Sequence, residues 1–348
     1  MNTMRVGLIG YGFSGETFHA PLLQALTEYE IVKVMSRNPQ KVAQTLGAVQ
    51  VVATIEDVLK DETIELVIIT TPNTLHYEMA KQSLLAGKHV VIEKPMVIDP
   101  EEAEELIQLA NEQQLMLSVY QNRRWDNDFL TIKRLIAEDT LGKVNTYEAH
   151  FDRFRPHVQD RWREQAVKGA GILYDLGSHL IDQALHLFGK PQFVLADVVA
   201  QRDGAKTDDY FHIIMGYGKL RVILHCGSIV AGQGPKFTLH GSKGSFIKYG
   251  IDGQEDALKA GKIPTADDWG EDNPECYGTL ILHEDEQGVV TKVKTLPGSY
   301  TSYYKQVFEH IRYGQPCPVR AEEGLQTIQM IHAALKSSAE KQAVFIDK

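Results

Sequence analysis

The sequence predicts an α/β protein: a doubly wound parallel sheet at the N-terminus, followed by an α+β domain with a large, mainly antiparallel sheet. Three observations predict it. Between residues 5 and 120, short apolar runs alternate with longer amphipathic stretches, and strands alternating with helices imply crossover units whose parallel sheet is covered on both faces. After Tyr120 the pattern changes to extended runs joined by tight glycine turns, "YGKL" and "GSKGS", which mark antiparallel hairpins. Near the start, Gly10, Gly12 and Gly15 stand at the spacing G-x-G-x-x-G between an apolar run and a helical stretch, the context in which that spacing carries meaning.

The elements follow in order. The strands of the first half are "VGLIG", "IVKVM", "VQVVA", "LVIIT", "HVVIE" and "LMLSVY", with helices such as "TLHYEMAKQSLLAG" and "PEEAEELIQLANEQQ" between them. The second of these helices is well punctuated: Asp99 is placed to cap it, Pro100 suits its first position, and acids crowd its first turn. Gly87 sits where the preceding helix should stop. The second half opens with a helix near residues 126–138 and a long strand, "KVNTYEAHFDRFR". Alternation puts Tyr147, Ala149, Phe151 and Arg153 on one face of that strand, and Thr146, Glu148, His150 and Asp152 on the other. A helix over 171–188, the runs "FVLADVVAQ", "YFHIIMGY", "LRVILHCGSIV", "KFTLHG" and "SFIKYG", and helices over 300–313 and 321–340 complete the chain. The expected domains are 1–120 and 121–348.

Composition bounds the function. The 348 residues suffice for two domains, and 43% hydrophobic with 24% charged residues is ordinary for a globular core. A formal net charge of -10 argues against a nucleic-acid partner, which requires clustered Lys and Arg. No apolar run reaches membrane-spanning length, and the first residues carry no signal-peptide pattern. The three cysteines, Cys226, Cys276 and Cys317, form no C-x-x-C pair and suit a reducing compartment. A soluble, cytoplasmic protein is expected.

The glycine spacing points to a dinucleotide. Gly10 permits the tight turn, Gly12 lets the backbone approach a pyrophosphate, and Gly15 lets the helix pack closely with its N–H groups toward the anion. The intervening Tyr11, Phe13 and Ser14 belong to the same cradle. Enzymes using NAD usually carry an acid at the end of the second strand for the ribose 2′-hydroxyl. Here that strand ends in Ser36 and Arg37. A hydroxyl donor and a guanidinium suit a 2′-phosphate, so NADP(H) is expected, with NAD as the weaker alternative.

Two stretches carry candidate chemistry. "VVIEKPM" places Glu93 and Lys94 at the end of the fifth strand, where side chains of open α/β sheets meet ligands. A half-dry lysine there can hydrogen-bond a substrate hydroxyl; an ordinary surface Glu–Lys pair is the equal alternative. In "GAGILYDLGSHLIDQALHLFG", Leu173, Leu176, Leu180, Ala184 and Leu187 form an apolar stripe. Asp175 and His179 lie four apart on its flank, with Asp182 and His186 on the same side. Histidine beside a carboxylate is a proton carrier near neutral pH, although any amphipathic helix has such a face. No metal is expected, because two ligands on one helix need further partners. The arginines of "NRRWDNDF", "FDRFRPH" and "DRWRE" are expected to serve mostly in salt-bridge networks.

Together, "GYGFSG", "TTPNTLHYEMAKQSLLAGKHVVIEKP" and "GAGILYDLGSHLID" resemble the glucose–fructose oxidoreductase/inositol dehydrogenase family (Gfo/Idh/MocA) over the whole chain. "FHAPLL", "SVYQNRRWDNDFLTIKRLI", "FDRFRP", "RWRE" and "SFIKYGIDGQEDAL" are similar to its NADP-dependent scyllo-inositol dehydrogenase branch. The resemblance implies a Rossmann domain and hydride transfer between NADP(H) and a secondary alcohol or ketone of a small polyhydroxylated substrate, scyllo-inositol/scyllo-inosose foremost. It implies that Lys94 and His179 lie around the reacting carbon and that Asp175 holds substrate hydroxyls. Thr71, Pro72, Asn73 and His76 would run along the cofactor, and Asn122 and Trp162 would line the nicotinamide or substrate side. Gln121 departs from the family, whose members often carry histidine there. A homodimer or homotetramer formed through the open sheet is also implied. Another inositol or an aldose as substrate, or a non-catalytic NADP(H)-binding sensor, are the rival readings.

Overall fold

A computed structural model describes residues 3–283 and 288–347 of the chain. The chain divides into two compact units, each assembled from three stretches. Met1–Trp125, Gly253–Trp269 and Ser299–Leu325 form the first, and Asp126–Asp252, Gly270–Gly298 and Gln326–Lys348 the second.

The first unit holds six strands: β1 (Met4–Ile9), β2 (Tyr29–Met35), β3 (Gln50–Val52), β4 (Leu66–Ile69), β5 (His89–Ile92) and β6 (Leu117–Val119). Every pairing is parallel, in the order β3-β2-β1-β4-β5-β6. All four residues of β4, with Val90, Val91 and Ile92 of β5, are fully buried, as a sheet covered on both faces demands. The strand order reverses between β1 and β4, so a ligand is expected beyond the carboxyl ends of those two strands. Helix Pro100–Glu112 begins where expected, yet Asp99 makes no capping bond from its side chain. The fixed φ of Pro100 and the acids Glu101 and Glu102 against the helix dipole start it instead.

Helix Thr301–Tyr313 returns from the far end of the sequence to complete this unit. Tyr300, Tyr303 and Tyr304 are fully buried. Their hydroxyls and backbone are spoken for: the Tyr29 hydroxyl donates to the Tyr304 carbonyl at 2.6 Å, and Ser118 Oγ meets the Tyr303 hydroxyl at 2.7 Å. Each ring removed from water contributes about 2 kcal/mol. Arg312 fixes the end of the helix with a two-pronged bond to Glu65 at 2.6 and 2.7 Å.

The second unit holds β7 (Val144–His150), β8 (Phe193–Val199), β9 (Tyr210–Tyr217), β10 (Leu220–Gly227), β11 (Phe237–Gly241), β12 (Gly244–Lys248), β13 (Gly278–Leu282), β14 (Val289–Val293) and β15 (Val344–Phe345). They form one sheet in the order β14-β13-β12-β11-β7-β10-β9-β8-β15. Only β7 and β10 pair in parallel; the other neighbours are antiparallel. One face is dry, carrying Tyr147, Ala149, Phe211, Ile213, Val222, Leu224, Phe237 and Leu239. The other, with Glu148, His150, His212, Ile214, Ile223 and His225, is half-exposed.

The helix expected over 171–188 starts differently. Leu173–Gly177 forms a wide π-turn, closed by the Ser178 N–H on the Leu173 carbonyl, and α-helix Ser178–Phe188 follows. On its polar flank, His179 and Asp182 are buried, 4% and 1% exposed. Among the described residues, no helix is long and apolar enough to cross a membrane.

Candidate active site

The carboxyl ends of the first unit's strands carry the predicted cofactor residues. Gly10 follows β1 with φ +94°, and a Cβ there would lie 3.0 Å from Thr70 Oγ1 and 3.3 Å from the Thr70 backbone. A Cβ on Gly15 would sit 2.7 Å from the Gly10 carbonyl oxygen. Turn and packing therefore demand both glycines. Gly12 is different: nothing lies within 4 Å of its Cβ position, and it is exposed. No protein contact requires a glycine there, so the bare backbone fits the approach of a ligand's pyrophosphate. Beyond it, Gly15–His19 is a π-turn in which the Ala20 N–H reaches the Gly15 carbonyl; such turns favour functional sites. The buried Tyr11 hydroxyl meets Thr45 Oγ1 at 2.7 Å, while Phe13 is 53% exposed.

At the end of β2, Ser36 Oγ accepts the Asn38 N–H at 3.1 Å, and Asn38 in turn caps helix Pro39–Leu46 through the Lys41 N–H. Arg37 is exposed. After β4, Thr71 and Pro72 lead to the buried Asn73 and to His76. Both nitrogens of the His76 ring lie against carbonyls, Nε2 2.9 Å from that of Thr71 and Nδ1 3.0 Å from that of Pro95, and the single N–H of the neutral ring donates to one of them. Burial lowers its pKa. His76 therefore acts as a strut between the loop after β4 and the loop after β5.

Lys94 leaves the end of β5 half-buried, and its peptide bond to Pro95 is cis. The carboxylate before it is the anchor of the region. Glu93 Oε1 accepts the Ser14 hydroxyl and lies 2.9 Å from His19 Nε2, while Oε2 accepts the Lys94 N–H at 3.0 Å. His19 Nδ1 is held by the Tyr304 hydroxyl at 2.5 Å. Burial alone would raise the Glu93 carboxyl, but the His19 bond and charge, the Lys94 charge and the Ser14 hydroxyl hold it down at about 2. Asn122 is buried in a short turn just after β6.

In the second unit, Asp175 sits within the π-turn and His179 one turn later. The turn is started by Asp208, whose Oδ2 accepts the Leu173 N–H at 2.8 Å and whose carbonyl accepts the Ile172 N–H. Gly171 has φ +97°, and a Cβ there would strike the Asp208 carboxylate at 1.9 Å. Arg153 and Arg163 approach Asp175 at 3.9 and 3.6 Å, in an open hollow of about 310 Å³ that Arg155, Arg161 and Arg202 also line. Trp162 is 37% exposed, with the Arg163 guanidinium over its ring. Behind it the buried Glu164 binds Arg161 at 2.6 Å and Arg202 at 3.1 Å, and Arg202 binds Asp209 at 2.8 Å. These arginines form the expected salt-bridge network.

Residues 4–121 match the family model described as the NAD-binding Rossmann fold of the Gfo/Idh/MocA oxidoreductases, and residues 133–346 match that family's C-terminal α/β domain. The chain belongs to the Gfo/Idh/MocA oxidoreductase family. It is 51% identical over 347 residues, covering 100% of this chain and 97% of the relative, to scyllo-inositol 2-dehydrogenase (NADP(+)) IolW of Bacillus subtilis. The oxidoreductase YdgJ of Escherichia coli is 43% identical over 97% of both chains. The solved structure of the oxidoreductase yvaA from Bacillus subtilis superposes with a TM-score of 0.98 at 51% identity, covering 99% of each chain.

Sequence reasoning missed two parts of this Gfo/Idh/MocA site, His19 and Asp208, and singled out a third, Gln121, without a role. His19 gave only the weak signal of a lone histidine in "FHAPLL", and its partner Tyr304 lies in a remote helix. Asp208 stands in a loop, "KTDDY", with nothing to tie it to the helix it starts. Gln121, 1% exposed, has both amide atoms without a hydrogen-bond partner among the described residues. A polar group buried in that state is costly.

Proposed function

We propose that this chain is an NADP(H)-dependent dehydrogenase of a cyclitol, interconverting scyllo-inositol and scyllo-inosose. One geometric observation carries the reading. The Glu93 carboxylate joins the glycine turn, through Ser14, to the backbone of Lys94, so cofactor cradle and candidate catalytic amine are set by one clamp. The likeness to a relative named for scyllo-inositol and NADP(+) supports the substrate and cofactor assignment.

Gly10, Gly12 and Gly15 with the N–H groups of the following turn would hold the pyrophosphate, while Ser36 and Arg37 would receive the 2′-phosphate. Thr71, Pro72, Asn73 and the His76 strut would flank the rest. When bound, the nicotinamide supplies the carbon that accepts or returns the hydride. Lys94 donates to the substrate oxygen and stabilises the alkoxide character that develops there. His179 takes the hydroxyl proton on oxidation and returns it on reduction. Asp175, steadied by Arg153 and Arg163, orients neighbouring hydroxyls; Asn122 and Trp162 are the further residues assigned to the nicotinamide or substrate side. Among wider properties, the half-exposed sheet face supports a homo-oligomer, dimer or tetramer, and the three free cysteines suit the cytoplasm.

The test follows NADPH absorbance with scyllo-inositol, myo-inositol, glucose and the corresponding ketones, NAD run in parallel. The highest kcat/KM is expected for scyllo-inositol with NADP. No turnover with any polyol, or a preference for NAD, would overturn the proposal.

A further inference from the structure

A line of polar side chains crosses the half-exposed face of the second unit's sheet. Strand register sets His150 of β7 opposite His225 of β10, His225 opposite His212 of β9, and His212 opposite Asp197 of β8. Paired residues point to the same side, and so do residues two apart on a strand. Asp152, two beyond His150, therefore joins the two histidines on that face. The three donors gather closely: His150 Nδ1 lies 3.2 Å from Asp152 Oδ2, and His225 Nδ1 lies 2.8 Å from Asp152 Oδ1. One ligand atom from each fits within 4.8 Å of the others.

We propose that His150, Asp152 and His225 form a site for a divalent transition ion of the Zn²⁺ class. The donor set is two imidazole nitrogens and one carboxylate oxygen, the chemistry such ions select over the all-oxygen sites of Ca²⁺ and Mg²⁺. A tetrahedral ion with bonds near 2.0–2.1 Å sets its donors about 3.3 Å apart, and side-chain rotation would draw the three donors, already within 4.8 Å of one another, to that spacing. The carboxylate is already oriented, since Asp152 Oδ1 accepts the Gly227 N–H at 2.9 Å, the kind of outer support that fixes metal ligands. His225 Nδ1, though close to that oxygen, makes no aligned hydrogen bond. In the single chain a depression lined by His150, Asp152, Gln233 and Ile251 borders the donors and leaves a fourth position for water. The ion would fasten β7 to β10, the sheet's parallel pair, just before Arg153, which contacts Asp175.

The experiment uses the full chain, treated with chelator and titrated with Zn²⁺ by calorimetry and with Co²⁺ by visible absorption. One ion per chain is expected, with Co²⁺ bands of a nitrogen–oxygen site and no thiolate charge-transfer band. Asp152→Asn and His225→Ala should each weaken binding about tenfold or more, whereas His240→Ala, at an exposed histidine of β11, should leave it unchanged. Zn²⁺ should raise the melting temperature of the native chain and not that of Asp152→Asn, which nearly preserves side-chain shape and so guards against a misfolded His225→Ala. Absence of binding, equal binding by Asp152→Asn, or a thiolate band abolished in Cys276→Ser would overturn the site.

Discussion

Replacing Glu93 by Gln exchanges one oxygen for an NH₂ and tests the clamp on which the proposed catalytic lysine rests. The carboxylate takes three bonds, from Ser14, His19 and the Lys94 N–H. An amide oxygen left at the Oε1 position can keep the first two, but its NH₂ then faces the Lys94 N–H, donor against donor. One charge-assisted bond is lost, and the others become neutral, for about 2–4 kcal/mol in all. A second route gives the same size. A carboxyl held at about 2 in the fold and ionising near 4.5 when unfolded adds about 3 kcal/mol at neutral pH, at about 1.4 kcal/mol per tenfold change in proton affinity. Because the folded value is the depressed one, this stability is complete above about pH 4.5 and drains away as pH falls toward about 2. Equilibrium urea unfolding of both proteins should therefore show a gap of about 3 kcal/mol at neutral pH, narrowing to about 1 kcal/mol near pH 3. A gap that stays constant over this range, or one under about 1 kcal/mol at neutral pH, would refute the clamp.

Four further outcomes follow from the same geometry. Lys94→Ala should lower kcat by about 10²–10⁴-fold, the usual worth of a positioned proton donor, while NADPH affinity measured by fluorescence changes little. Ser36→Asp combined with Arg37→Ala should reduce the NADP-to-NAD ratio of kcat/KM by about 10–100-fold, equivalent to one charge-assisted bond; an unchanged ratio removes both residues from 2′-phosphate recognition. Gly12→Val should leave the urea midpoint within the range of a surface change, about 0.5 kcal/mol, but weaken NADPH binding more than about tenfold. Gly15→Ala, whose Cβ meets the Gly10 carbonyl oxygen at 2.7 Å, should instead cost about 1–3 kcal/mol of stability.

The parallel sheet was legible because its strands are continuous apolar runs between punctuated helices, and β9 falls on the run "YFHIIMGY" residue for residue. Alternation in β7 also sorted its faces correctly, Tyr147 and Ala149 inward, Glu148 and His150 outward. Periodicity says which face of an element is apolar, not which surface will cover it. The Tyr300 helix thus read as a helix without revealing that it belongs with Tyr29 and His19. The same limit left open what would face the Asp175–His179 flank, where His179 and Asp182 prove to be buried. The π-turn at Leu173 was hidden because its cause, Asp208 on the Leu173 N–H, is a pairing across distant sequence. β14 carries Thr291 and Lys292 on exposed positions, and β13 is only five residues long with no polar–apolar alternation, so neither stood out. The metal-ligand cluster escaped for a related reason: strand register, which sequence does not state, is what brings His225 to His150.

The late return of the tyrosine-bearing helix has a consequence for how the molecule is made. A ribosome releases Gly10 through Asn122 long before Tyr300, Tyr303 and Tyr304 emerge, so nucleotide-binding strands wait, incompletely lined, for about half of translation. Cutting the gene after the sixth strand would not yield a portable nucleotide module. Such a fragment would leave the Tyr29, His19 and Tyr120 rings open to water, and grafting designs would need to carry residues 299–325 along with it.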